Sequence, residues 1–71
     1  MNYNETFKEI YGDTLPAGKS AFVMEMPLNT SNPIRAVSGY IPSGAKVTMK
    51  HRILYVLAER FTHPNAIKLA L

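Results

Sequence analysis

The chain has no cysteine and no long apolar run, and each absence removes a class of protein. Without cysteine there is neither a disulfide framework nor a thiolate ligand for zinc to reinforce the core. A core built from 71 residues is marginal on its own, on the order of a few kcal/mol. The longest uncharged apolar run, Ile53 to Ala58, is six residues, against the roughly 20 needed to cross a bilayer. Met1 to Thr6 carry neither a basic region nor an apolar stretch, so a secretory leader is not expected. Together with the missing cysteine, this gives the expectation of a soluble cytoplasmic protein with no membrane partner.

Catalytic raw material is equally thin. Ser20, Ser31, Ser38 and Ser43 stand in no Gly-x-Ser-x-Gly elbow, and Glu5 and Glu9 lie one turn apart on a short solvated helix. Gly18-Lys19-Ser20 resembles the end of a phosphate-binding loop. That loop needs a glycine five positions before its final glycine, whereas Gly12 stands six before Gly18 and Pro16 interrupts the stretch. His51, His63 and Glu59 are of metal-ligating type but lack ligand spacing. Neither an enzyme, a metal nor a cofactor is expected.

What is present is an ordinary globular composition, 46% apolar with four Tyr and three Phe as bulky core material, which excludes a disordered tail and, at this length, a second domain. The charge is split along the chain. Residues 1–34 carry Glu5, Glu9, Asp13 and Glu25 against Lys8 and Lys19. Residues 35–71 carry Arg35, Lys46, Lys50, Arg52, Arg60 and Lys68 against Glu59 alone, with both histidines. Such asymmetry speaks to partners and solubility rather than to fold.

The pattern predicts a small α+β domain. Asn4 suits the N-cap of a short helix running to about Tyr11, with Gly12 as its stop and Tyr3, Phe7, Ile10 and Tyr11 as its apolar face. Ser20 to Met26 reads as a strand with Phe22, Met24 and Met26 on one side and Ala21 and Val23 on the other, ended by Pro27. Leu28 to Pro33 reads as a loop and Ile34 to Ile41 as a second strand broken at Ser38-Gly39. Ile41-Pro42-Ser43-Gly44 suits a type I turn closing a hairpin, after which Ala45, Val47 and Met49 alternate as a third strand or extended segment. A main amphipathic helix is then expected to begin between Thr48 and His51 and to run through Phe61 with Ile53, Leu54, Val56, Leu57 and Phe61 inward. A start near Ser43 would place Lys46 and Lys50 in the middle of that apolar face. Thr62-His63-Pro64-Asn65 ends the helix, and Ala66 to Leu71 closes the chain as a strand or a short helix.

On that helix Thr48, His51, Arg52, Tyr55 and Glu59 share one polar arc bordered by Lys50 and Arg60. An exposed tyrosine beside Arg and His is the kind of amphipathic anchor found at binding hot spots. The partner-binding candidates are therefore Lys50, His51, Arg52, Tyr55, Glu59 and Arg60. The expected function is that of a non-enzymatic interaction protein, an inhibitor or accessory factor, docking on an acidic protein or nucleoprotein surface through its basic C-terminal half. Weakly specific nucleic-acid binding is the first alternative. The second is a structural subunit of a homo-oligomer, assembling through Met24, Met26 and the closing strand. The order of elements fits neither helix-turn-helix nor ribbon-helix-helix.

Overall fold

A computed structural model of the chain describes residues 2–26 and 31–71. They form an α+β domain in which helix α1 (Tyr3–Tyr11) covers one face of a four-stranded antiparallel sheet. A short helix α2 (Pro33–Val37) and a 3-10 turn (Ser38–Tyr40) lie on the path to the second strand. The strands are β1 (Ser20–Glu25), β2 (Lys46–Lys50), β3 (Ile53–Ala58) and β4 (Ile67–Lys68), in the spatial order β2-β3-β1-β4.

Helix α1 begins two residues earlier than expected. Asn2, not Asn4, is its cap, with Oδ1 accepting from the backbone N–H of Asn4 at 3.0 Å and of Glu5 at 3.3 Å. Glu5 in the first turn and Lys8 in the last complement the helix dipole. Gly12, at φ 101°, takes the left-handed C-terminal position that side chains avoid and returns its N–H to the Lys8 carbonyl at 2.8 Å. The buried face is the expected one: Phe7 is fully enclosed, and Tyr3, Ile10 and Tyr11 pack around it.

Strand β1 keeps the alternation read from its sequence. Phe22 and Met24, followed by Met26, enter one core cluster, while Ala21 and Val23 enter the other. The loop expected from Leu28 and the strand stop at Pro27 fall largely at residues 27–30, outside the described residues. The strand expected over Ile34–Ile41 is helical instead. Asn32 caps it by accepting from the Arg35 N–H at 3.2 Å, Pro33 occupies the first turn, where its missing N–H costs nothing, and Ser38 Oγ donates to the Arg35 carbonyl at 2.9 Å. The following turn spans Pro42 to Ala45, with the Ala45 N–H on the Pro42 carbonyl at 3.2 Å and Gly44 at φ 84°, one residue later than expected, and it joins a helical segment to β2 rather than two strands.

The largest departure is the main helix, which does not form. Residues 46–58 are a two-stranded hairpin, β2 and β3, joined by His51 and Arg52 at φ 52° and 61°. Two consecutive residues with positive φ make the tight turn whose twist matches paired strands. Strand β3 lies between β2 and β1 and is buried along its whole length. Leu54, Val56 and Ala58 face the cluster containing Phe22, Val37 and Phe61, while Ile53, Tyr55 and Leu57 face the cluster under α1. An unbroken apolar run is therefore what its position demands, since neither face sees water. The closing segment is a strand, β4, antiparallel to β1 with Val23 opposite Ile67.

Candidate functional site

The six residues expected to share one helical arc are dispersed by the hairpin. Lys50 ends β2, with Nζ 3.4 Å from Glu9 Oε2 on α1. His51 and Arg52 form the turn, and the Arg52 carbonyl accepts the Met26 N–H at 3.0 Å. Tyr55 is in the middle of β3 with 0% of its surface exposed, part of the core under α1 rather than a contact residue. Glu59 and Arg60 follow the far end of β3, about 20 Å from the turn at the usual strand rise. The hypothesis of a single recognition face made by these six residues is thus overturned by the geometry.

The other sequence candidates are also reassigned. His51, Glu59 and His63 belong to three different places in the fold, and among the described residues no three His, Cys, Asp or Glu side chains gather around one point. His63 Nδ1 accepts the Asn65 N–H at 3.0 Å, which fixes its ring, and the Tyr40 ring meets it edge-on at 4.4 Å between centroids. Gly18 takes φ 77° in a turn closed by the Lys19 N–H on the Pro16 carbonyl at 3.1 Å, so Gly18-Lys19-Ser20 opens a strand, not the helix a phosphate-binding loop requires. Met24 and Met26 are 2% and 6% exposed, which removes them as an assembly surface.

A different set of residues is brought together by the strand register. Ser20 lies opposite Ala58, and Lys46 opposite Leu57. Lys19, Lys46, Glu59 and Arg60 consequently crowd one end of the sheet. A groove of about 440 Å³ opens there, lined by Lys19, Pro42, Ser43, Ala45, Glu59 and Arg60. A second depression of about 240 Å³ shares Pro42 and Arg60 and runs to Tyr40 and Thr62. Lys46, Glu59 and Arg60 are exposed, Lys19 is half-buried, and among the described residues Lys19, Lys46 and Arg60 enter no ion pair. Tyr40 is 49% exposed, the aromatic ring best placed to meet a partner at this end.

The opposite end of the sheet has a different character. A groove of about 500 Å³ is lined by Tyr3, Glu25, Met26, Asn65 and Ile67. The Tyr3 hydroxyl donates to Glu25 Oε1 at 3.0 Å, and this hydrogen bond to a carboxylate holds the phenol's pKa above its ordinary value. At this end Glu9 pairs with Lys50, and Glu25 and Arg52 line one depression. Sequence reasoning weighed Lys19 only as a phosphate-loop lysine and left it out of the partner-binding set, because it lies in the acidic half. Its local signal was the turn at Gly18, and it takes the β1–β3 register to set it at the end of the sheet where Glu59 and Arg60 emerge.

Compared with family models, with curated proteins and with solved structures, the chain matches none.

Proposed function

We propose that the protein is a non-enzymatic interaction module that docks on an acidic protein surface through the end of the sheet carrying Lys19, Lys46 and Arg60. The observation that carries this reading is that two cations, Lys19 and Arg60, line one groove with a single carboxylate, Glu59, while Lys46 stands at the same end of the sheet, and none of the three cations enters an ion pair among the described residues. Unpaired cations around a concavity steer and orient an acidic partner more than they add affinity, because exposed pairs contribute about 0–1 kcal/mol each. The proximity of Pro42, Tyr40 and Thr62 adds the apolar contact that a charge patch alone lacks.

The test is capture of partners from a lysate by the wild-type chain and by a Lys19→Ala, Arg60→Ala double variant. The variant is expected to keep its circular dichroism spectrum and to lose most of the capture, increasingly so at low salt. Undiminished capture removes this face. Tyr55 is unusable as a probe of binding, since its replacement acts on the core.

A second reading, single-stranded nucleic acid as the partner, draws on the exposed Tyr40 ring next to Arg60 and His63. Three phosphate contacts would give a salt slope of only about −2 on single strands. Capture that disappears on nuclease treatment, together with loss on Tyr40→Ala, favours this reading over the first.

A further inference from the structure

Strand β2 is the long free edge of the sheet, five residues against the two of β4 at the other side. The two-residue turn places Lys50 opposite Ile53. From that pair the antiparallel ladder alternates, so Lys50, Thr48 and Lys46 aim their backbone groups at β3 while Val47 and Met49 aim theirs outward. Among the described residues no hydrogen bond closes on those outward groups.

The side chains of β2 are sorted by face. Lys46, Thr48 and Lys50 stand on the α1 side, where the Tyr11 hydroxyl meets Thr48 Oγ1 at 3.2 Å and Glu9 meets Lys50. Val47 packs toward the Phe22 cluster on the other side, and Met49 beside it remains 38% exposed. A strand added at this edge would meet two lysines on one face and two apolar side chains on the other.

We propose that β2 takes up an extended acidic segment of the partner as a fifth strand, its carboxylates opposite Lys46 and Lys50 and its intervening apolar residues beside Val47 and Met49. This deepens, and rests on, the reading of the protein as a docking module for acidic partners: Ala45, which lines the basic groove, leads directly into β2. Charge selects against a second copy as occupant. Antiparallel pairing of two β2 strands about Thr48 sets each Lys46 against the other copy's Lys50, four cations on one face with Glu9 offsetting only one lysine per chain, and like charges directly opposite are destabilising. Edge lysines guard against such self-pairing, and the same charges favour a strand of opposite sign.

The experiment uses a labelled peptide Glu-Val-Glu-Val-Glu-Val-Glu, its lysine counterpart, and a version interrupted by proline, with anisotropy and amide hydrogen exchange of the full chain as readouts. The acidic peptide is expected to bind and to slow exchange at Val47 and Met49 about tenfold or more, while the other two do not. Lys46→Glu is expected to weaken it about fivefold, and Met49→Pro, which removes an outward N–H without touching the β2–β3 ladder, by a similar factor. Both variants are checked by circular dichroism, and Lys46→Glu, an exposed substitution, keeps the test open if the proline variant does not fold. Binding without protection at Val47 and Met49, equal binding of the lysine peptide, no binding of any peptide, or dimerisation through β2 each overturns the strand-addition proposal. If lysate capture survives Met49→Pro but is lost in the Lys19→Ala, Arg60→Ala variant, the docking reading stands and only the edge proposal falls. Capture that survives both overturns both.

Discussion

Replacing Tyr55 by alanine separates the hairpin from the helix that its sequence resembles. In the hairpin the ring has 0% exposure and lies in one cluster with Phe7, Val23 and Leu57, Thr48 and Val23 being its cross-strand neighbours. Truncating an aromatic side chain in such a site removes its transfer free energy and leaves a cavity, together about 3–5 kcal/mol. A domain of 71 residues has about 4–10 kcal/mol of total stability, at 0.05–0.15 kcal/mol per residue. Tyr55→Ala therefore consumes a third or more of it. At about 4–8 °C per kcal/mol for a domain of this size, the midpoint of thermal unfolding should fall by at least about 12 °C. At the low end of the stability range the loss is comparable to the whole, and the variant is partly or fully unfolded at room temperature. Circular dichroism followed through heating and through urea measures this directly. On the exposed arc of a helix the same change would lie within about 0.5 kcal/mol, and alanine's helix propensity would tilt it toward stabilisation. A midpoint within 2–3 °C of wild type would refute the assignment of β3 as the central strand.

His51→Val probes the turn: a β-branched residue at φ 52° should cost about 1–2 kcal/mol, whereas valine and histidine are nearly equal in a helix, so an unchanged urea midpoint would argue against the hairpin. Tyr11→Phe deletes the hydroxyl that donates to the Tyr55 carbonyl at 2.8 Å and lies 3.2 Å from the Lys46 carbonyl, and it should cost about 1–2 kcal/mol by denaturation, a loss below a few tenths showing that the bond is idle. Burial raises the Tyr11 pKa, partly offset by Thr48, and the Glu25 hydrogen bond raises that of Tyr3. A phenol whose pKa is higher in the fold than the ordinary value near 10 contributes stability that is complete below that value and is lost as pH rises through it toward the folded pKa. The urea midpoint should thus fall on titration above about pH 10, and less steeply in a Tyr3→Phe, Tyr11→Phe double variant; equal slopes would contradict the assigned environments.

Which parts of the fold were legible follows from how local their causes are. Helix α1 has a cap, dipole-matched charges and a left-handed glycine within its own span, and β1 has a clean alternation because its two faces meet different clusters. The 33–37 helix carried its own signal, Asn32-Pro33, a cap followed by a residue preorganised for the first turn, but five residues are too few for periodicity to outweigh the β-branched Ile34 and Val37. The hairpin was hidden twice. An apolar run of six residues is compatible with a helix face and with a strand buried on both sides, and its turn is His51-Arg52 where a glycine or asparagine pair would have announced it. One clue did point the right way: Lys46 and Lys50 conflicted with a helical apolar face because, on a strand, they sit with Thr48 on one side and leave Val47 and Met49 to the other.

The charge split along the sequence does not survive as a split in space, and the sheet order explains why. Strand β1 from the acidic half is inserted between β3 and β4 of the basic half, so the two halves are interleaved rather than set side by side. Register then does what composition cannot. It carries Lys19 out of the acidic half to the end where Arg60 and Lys46 emerge, and it brings Glu9 to Lys50 at the other. The basic half loses part of its excess at the hairpin, and the acidic half supplies a cation to the groove. The hairpin turn, where Lys50 and Arg52 of the basic half stand, is about 20 Å from the groove lined by Lys19 and Arg60. If docking follows the folded charge distribution, Lys19→Ala must weaken partner capture more than Lys50→Ala, although Lys50 belongs to the basic half and Lys19 does not. The reverse order would return the site to the hairpin turn.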